Sequence, residues 1–221
     1  MEIQKALEVL RNGGVILYPT DTVWGIGCDA TDPAAVAKVY EIKKRADSKS
    51  LVLLASDMDM ICRYVKEVPE MAVQLVEVND KPMTIIYPGA VVGPSPSTGP
   101  SVLPTSSDIA GSGAGKSSSA FPKADRRCLA FNTVAEDGTV GIRIPMMDFC
   151  QQLVAKFGRP IVSTSANISG EPTPKKFAEI SEEIREAVDH IVDPALDRGA
   201  TGHSSSIIKV GLDYSIEIIR K

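Results

Sequence analysis

Three stretches of this chain gather side chains suited to holding an anion. The first is Pro160-Ile161-Val162-Ser163-Thr164-Ser165-Ala166-Asn167-Ile168-Ser169-Gly170, a short apolar run that passes directly into small hydroxyls and an amide. In an open α/β sheet ligands sit at the carboxyl ends of strands. Ser and Asn there offer phosphate or carboxylate oxygens a dense set of neutral hydrogen bonds. The competing reading is a Ser/Thr-rich turn that only caps the next helix. The second stretch, Val15-Ile16-Leu17-Tyr18-Pro19-Thr20-Asp21-Thr22-Val23-Trp24-Gly25-Ile26-Gly27, is again an apolar strand that ends in hydroxyls and then in glycines, which let backbone approach a ligand closely. The third, Ile42-Lys43-Lys44-Arg45-Ala46-Asp47-Ser48-Lys49, places four cations within seven positions at the end of a predicted helix. Taken alone, it also fits a solvated helix end whose cations complement the dipole.

The elements that must position these stretches alternate between helix and strand. An amphipathic first helix carries Ile3, Ala6, Leu7 and Leu10 on one face and ends at Gly13-Gly14. A strand at 15–18 follows, then a helix over 34–44 with Asp32 as cap and Pro33 in its first turn. Residues 51–54 read as a buried strand, Ser56 as the cap of a helix over 57–64, residues 69–76 as a helix and 83–87 as a strand. The second half continues the alternation, with strand 140–144, helix 147–157, strand 161–162, a helix within 177–188, and short strands at 191–192, 206–208 and 216–219. Between the halves, residues 91–128 are rich in Ser, Pro and Gly, and such composition buries too little surface to offset its ordering entropy. They read as a mobile insertion.

At 221 residues the chain can bury a sizeable core. A formal net charge of −4 argues against a protein that coats nucleic acid, so any RNA contact would be local. Cys28, Cys62, Cys128 and Cys150 are scattered without a Cys-x-x-Cys pair, and the only histidines are His190 and His203, so no metal-ligand cluster is read. No apolar run is long enough to span a membrane, and the N-terminus lacks an apolar signal core. A cytoplasmic protein with reduced thiols is expected.

Together the three stretches resemble the YrdC/YciO-like family of threonylcarbamoyl-AMP synthases. Its members carry Pro-Thr-(Asp/Glu)-Thr-Val-(aromatic)-Gly, then Lys-x-Arg, and much later Ser-x-Asn. Here these are Pro19 to Gly25, Lys43-Lys44-Arg45 and Ser165-Ala166-Asn167, with Gly141-Ile142-Arg143-Ile144-Pro145 between the last two. The resemblance covers about residues 1–90 and 129–221. It implies an α/β fold, a twisted mixed β-sheet flanked by helices, as a single domain over 1–221 interrupted by the insertion.

It also implies that threonine, bicarbonate and ATP, the last with Mg²⁺, are converted to threonylcarbamoyl-adenylate and pyrophosphate, the first step toward threonylcarbamoyladenosine in tRNA. Two anionic partners then meet, so the site needs cations and hydroxyls rather than a Ser nucleophile. A Ser-His mechanism is disfavoured because neither histidine is near the hydroxyl-rich motifs in sequence. By the resemblance, Arg45, Lys49, Thr139, Ser165, Thr173 and Arg220 fall where ATP is held, and Thr22, Arg143, Ser163 and Ser205 where threonine is held. Lys43, Arg45, Ser165 and Asn167 are the expected catalytic set, and no metal ligand is expected from the protein. Implied partners are a local tRNA contact and the downstream tRNA threonylcarbamoyltransferase proteins, with no membrane.

Trp24 stands where Tyr is usual, Ser50 where Pro is common, Leu54 where some members have His, and Asn79-Asp80-Lys81 replaces a common Trp-Pro-Gly. The YciO-like branch shares such changes. A nucleotide- or RNA-binding paralogue with weak or no synthase activity is therefore the alternative, and a pure RNA-interaction module is a third reading that leaves the hydroxyls around Ser165 unexplained. Within the insertion, Ala110-Gly111-Ser112-Gly113-Ala114-Gly115-Lys116-Ser117 loosely matches a P-loop. A P-loop needs a buried strand before it and a helix after it, and neither flank qualifies.

Overall fold

The computed structural model describes residues 1–45, 51–95 and 125–221 of the chain. Helix α1 (Glu2–Arg11) buries Ala6, Leu7 and Leu10, and Gly13, at φ 71°, turns the chain into strand β1 (Ile16–Tyr18). β1 folds back on β2 (Gly25–Gly27), so residues 19–24 form the turn between two buried strands. In α2 (Pro33–Ile42) the Asp32 carboxylate accepts from the Ala34 and Ala35 amides, as the sequence predicts. The helix stops short of Lys44, which adopts a left-handed φ of 48°.

The chain continues through β3 (Val52–Leu54), α3 (Met58–Tyr64), α4 (Glu70–Val78) and β4 (Met83–Tyr87). The cap of α3 is Asp57 rather than Ser56: its carboxylate accepts from the Met60 amide, and the Ser56 hydroxyl donates to it. A carboxylate is the stronger acceptor for the exposed amides of a first turn. The second half supplies β5 (Val140–Arg143), α5 (Asp148–Phe157), β6 (Ile161–Val162), β7 (Thr164–Ser165), α6 (Glu182–Ala187), β8 (His190–Ile191), β9 (Ser206–Val210) and β10 (Ile216–Arg220). The helix expected within 177–188 is divided into a 3₁₀ turn at Phe177–Glu179 and the short α6.

The strands form two mixed sheets, ordered β7-β2-β1-β8 and β10-β9-β4-β5-β3-β6. β1 with β8, β3 with β5, and β4 with β9 run parallel, and the remaining pairs are antiparallel. The chain passes between the sheets at Ser163. Val162 pairs with Leu53 in one sheet, the Ser163 amide donates to Val52 O, and Thr164 already pairs with Ile26 in the other. Gly27 makes this crossing possible, because a Cβ there would lie 2.6 Å from the Val162 carbonyl oxygen. One continuous core, with Tyr18, Trp24, Leu53 and Leu153 among its fully buried members, joins the sheets and helices.

The ends of the expected insertion belong to the fold. Leu129 N donates to Val91 O and Gly93 N to Leu129 O, and Tyr64 Oη donates to Arg126 O. Residues 96–124, with the P-loop-like segment and the expected mobility, lie outside the described residues.

Candidate active site

The turn at 19–24, the end of β5 and the crossing after Ser163 converge on a cleft of about 280 Å³. Arg143, at the end of β5, is almost wholly buried there. Its Nη1 donates to Thr22 Oγ1 at 3.0 Å, and its Nη2 lies 3.4 Å from Asp21 Oδ1. The contact with Asp21 is too long and poorly aligned for a hydrogen bond, and both Asp21 Oδ1 and Arg143 Nε are buried without a hydrogen-bond partner. Asp21 thus supplies a counter-charge while leaving the guanidinium fork open to a second anion. Thr20 and Thr22 share a 2.9 Å hydroxyl contact, and Ser205, buried, shares one of 2.8 Å with Thr84 on β4.

Two elements close the cleft. The loop before β9 crosses the first motif, where Thr201 N donates to Asp21 O and Gly202 N to Thr22 O, and so brings Ser204 and Ser205 to the wall. Ile207 on β9 pairs with both Thr84 and Arg220, which carries Arg220 across the sheet to the same cleft. Arg220 Nε donates to Ser205 O at 2.9 Å, and burial, followed by the Arg143 charge, lowers its pKa. Trp24 forms a further wall, its Nε1 donating to Asp197 at 2.7 Å and its ring packed on Phe177.

A second cavity of about 360 Å³ adjoins the first through Arg45 and Ser165, which line both. Its other walls are Lys43, Lys44, Asn167, Ser169 and Gly170. Lys43 is buried, and its Nζ donates to the carbonyls of Ser165 and Asn167 at 2.5 and 2.7 Å. Burial, and after it the Arg45 charge, pulls its pKa down to about 8. Ser165 Oγ donates to Asn167 Oδ1, while Asn167 Nδ2 donates to Ile168 O and Glu171 O. Pairing of Gly25 with Ser165, and donation from Ala166 N to Trp24 O, tie this turn to the first motif.

Family comparisons fit this convergence. The model Sua5_yciO_yrdC, described as telomere recombination, matches residues 8–110 and 115–221. The chain belongs to this family. It is 30% identical over 220 residues to a threonylcarbamoyl-AMP synthase of Xanthomonas euvesicatoria, covering all of this chain and 97% of that one. To a synthase of the same name from Photobacterium profundum it is 27% identical over 219 residues, covering 99% and 98%. The structure of P. abyssi Sua5 complexed with L-threonine superposes with a TM-score of 0.67 at 23% identity, over 94% of this chain and half of the longer Sua5 chain.

Of the expected site residues, Thr22, Arg143, Ser163, Ser205, Arg45, Ser165 and Arg220 line the first cleft, and Lys43 and Asn167 line the second cavity with Arg45 and Ser165. Thr139 and Thr173 line neither. Thr139 immediately precedes β5 on the same face as Gly141 and Arg143, but its hydroxyl donates to Asp137 Oδ1 at 2.6 Å. Thr173 sits in the loop after Gly170. Lys49 lies outside the described residues. His203 is exposed in the loop beside Ser204 and does not line the cleft. Thr20, Asp21, Trp24 and Ser204 join the site without having been singled out for it. The first three stand inside the Pro19 to Gly25 motif, which was the available signal, whereas Thr84 is an ordinary strand residue that nothing in sequence marks. Among the described residues no cluster of His, Cys, Asp or Glu could hold a metal ion, and no helix is long and apolar enough to cross a membrane.

Proposed function

We propose that the protein is a threonylcarbamoyl-AMP synthase, an adenylate-forming nucleotidyltransferase that uses threonine, bicarbonate and ATP. The observation that carries this reading is the junction of two cationic cavities, one built on Arg143 against Asp21 with Arg220 on its wall, the other lined by Lys43 and Lys44, with Arg45 common to both. An amino acid brings a carboxylate of single charge, which the half-neutralised Arg143 suits. A triphosphate brings several negative charges, which the cations of the second cavity suit.

In this arrangement Arg143 takes the threonine carboxylate, while Thr22, Ser163 and Ser205 orient the rest of the amino acid. The threonine ammonium loses a proton, and bicarbonate takes up a proton and leaves carbon dioxide and water. The free amine attacks that carbon dioxide, so a C–N bond forms and, with loss of a second amine proton to solvent, a carbamate results. A carbamate oxygen then attacks the α-phosphorus of ATP, and the bond to the pyrophosphate leaving group breaks. Arg45 and Ser165, common to both cavities, stand where the α-phosphate would meet the carbamate, and positive charge there stabilises the transition state as negative charge moves to the leaving group. Arg220 borders the cleft from the sheet side. Mg²⁺ enters with ATP as part of the substrate. The product is passed on to a tRNA threonylcarbamoyl transfer step.

Pyrophosphate release measured with ATP alone, and with threonine or bicarbonate omitted in turn, tests the reading. Release should require all three. Release that is indifferent to threonine and bicarbonate would favour a nucleotide-binding paralogue instead.

A further inference from the structure

We infer that Lys43 is a positioning residue: it clamps the Ser165-Ala166-Asn167 turn by its two carbonyls and so fixes Ser165 at the junction of the cavities, without itself being a phosphate ligand. This rests on the synthase reading of the site and assigns a role that charge alone would not suggest.

Lysine in a Lys-x-Arg pair beside a polyphosphate cavity is most simply taken as a point charge for the anion. The geometry points elsewhere. Two of the three ammonium donors of Lys43 are engaged by Ser165 O and Asn167 O, at short distances. The backbone of the same residue makes a third attachment, since Lys43 O accepts from Ser169 N at 2.9 Å. One residue at the end of α2 therefore grips the turn at positions 165, 167 and 169. Beneath that grip the side chains close on themselves. The Ser165 hydroxyl donates to Asn167 Oδ1, and the Asn167 amide donates onward to Ile168 O and Glu171 O.

Two consequences follow for an anionic ligand. Carbonyl oxygens carry partial negative charge, and two of them free to turn toward a polyphosphate would oppose its binding. Drawn onto an ammonium, they are directed away and neutralised. In addition, because the Ser165 proton is committed to Asn167, the hydroxyl oxygen is held in one orientation at the place where both cavities meet. Without Lys43, Asn167 O would lose this donor and Ser165 O would keep only the Asn167 amide at 2.9 Å, so the part-buried turn would rearrange to hydrate the freed carbonyls. Arg45, two residues on, lines both cavities and is the cation that meets the ligand at their junction.

The test reads the turn in ligand-free protein. Amide hydrogen exchange at Asn167, Ser169 and Glu171 should lose on the order of 100-fold protection in Lys43→Met, as expected when two charge-assisted hydrogen bonds go. Lys43→Arg, which can place two N–H groups on the same carbonyls, should keep most of it. In kcat/KM for ATP, Lys43→Met combined with Asn167→Ala should do no more harm than the worse single variant, since the two act on one turn. Should Lys43→Met fail to fold, Lys43→Gln, which retains one donor group, takes its place in both measurements. Unchanged exchange in the ligand-free variant together with weakened ATP, or effects that multiply in the double variant, would make Lys43 a phosphate ligand and overturn the inference. Failure of the synthase reading is distinct. It would show as wild-type protein that releases no pyrophosphate while the exchange result stands.

Discussion

The two cavities solve the same problem, a cation in a partly buried place, by opposite means. In the first, Arg143 is balanced by an ionised neighbour, Asp21, and both side chains are less than a tenth exposed. In the second, Lys43 among the described residues is balanced by peptide dipoles, and Lys44 finds its carboxylate partner, Glu183, outside the cavity walls. The ion pair leaves Arg143 itself little net charge, so it selects a ligand by the geometry of its carboxylate, although Arg45 and Arg220 add cations to the same cleft. Dipoles leave the full positive charge in place, and the field favours a polyanion.

The sharpest way to break this contrast is to remove Arg143. Arg143→Ala leaves Asp21 buried without its counter-charge, so the expected cost is about 3 kcal/mol in stability as well as roughly a 100-fold weaker response to threonine. Chemical denaturation gives the first. Quenching of Trp24, the one tryptophan of the sequence and a wall of the cleft, reports the second. Asp21→Asn added to Arg143→Met should recover part of the stability and none of the threonine binding. If Arg143→Ala is as stable as wild type, the ion pair does not set the character of this cavity.

Arg45→Ala should be smaller in stability and selective in binding. It removes a cation from the junction, and loss of charge-assisted contacts to phosphate costs about 2–3 kcal/mol in ATP affinity while threonine affinity holds. Calorimetric titration of each ligand separates the two. Equal losses for both would mean that the cavities do not divide the substrates.

Much of this division was legible before the structure. Pro19 to Gly25, Lys43-Lys44-Arg45, Arg143 and Ser165-Ala166-Asn167 stand out because each combines uncommon residue types in a short run, and all reach the two cavities. The sequence also marks most strands and the Asp32 cap, since hydrophobic period and capping residues are local properties. It does not show the division into two sheets or the crossing at Ser163, because pairing partners are distant in sequence and no local pattern encodes them. Nor does it distinguish a lysine aimed at ligand from one aimed at carbonyls, as only tertiary geometry tells Lys43 from Arg45. Thr139 illustrates the same gap: its position on β5's face is periodic and readable, but its hydrogen bond to Asp137 is not.

Raising the pH should sharpen the comparison further. The pKa of Lys43, about 8, lies below that of an unfolded lysine near 10.4, so between these values the unfolded state binds more protons and stability rises with pH. Below pH 8 the folded protein bears the full cost of burying the ammonium. Lys43→Met should remove this alkaline gain, seen as a flatter stability curve from pH 8 to 10. A wild-type curve that is equally flat would contradict the burial of this charge.

The smallest expected effect lies at the rim. Asp137 is held down to about pKa 2, first by the Thr139 hydroxyl and then by Lys209, so its stabilising contribution is present at neutral pH and fades as pH falls from about 4 through 2. The pair with Lys209 is largely exposed, which limits the loss in Asp137→Asn to less than about 1 kcal/mol. Asp137→Ala, which removes the acceptor altogether, frees the Thr139 hydroxyl. If ATP affinity improves, Thr139 belongs to the nucleotide site as the family resemblance implies, and if it does not, Thr139 acts in the turn alone.

The most direct test of the central claim follows the atoms. The protein is incubated with ATP, threonine and ¹³C-bicarbonate, and the nucleotides are separated and weighed by mass spectrometry. An adenylate carrying both the threonine mass and one ¹³C atom, absent when threonine is withheld and formed in step with pyrophosphate, is the predicted result. ATP that turns over without a labelled adenylate, or no turnover with folded protein that binds both ligands, would contradict it.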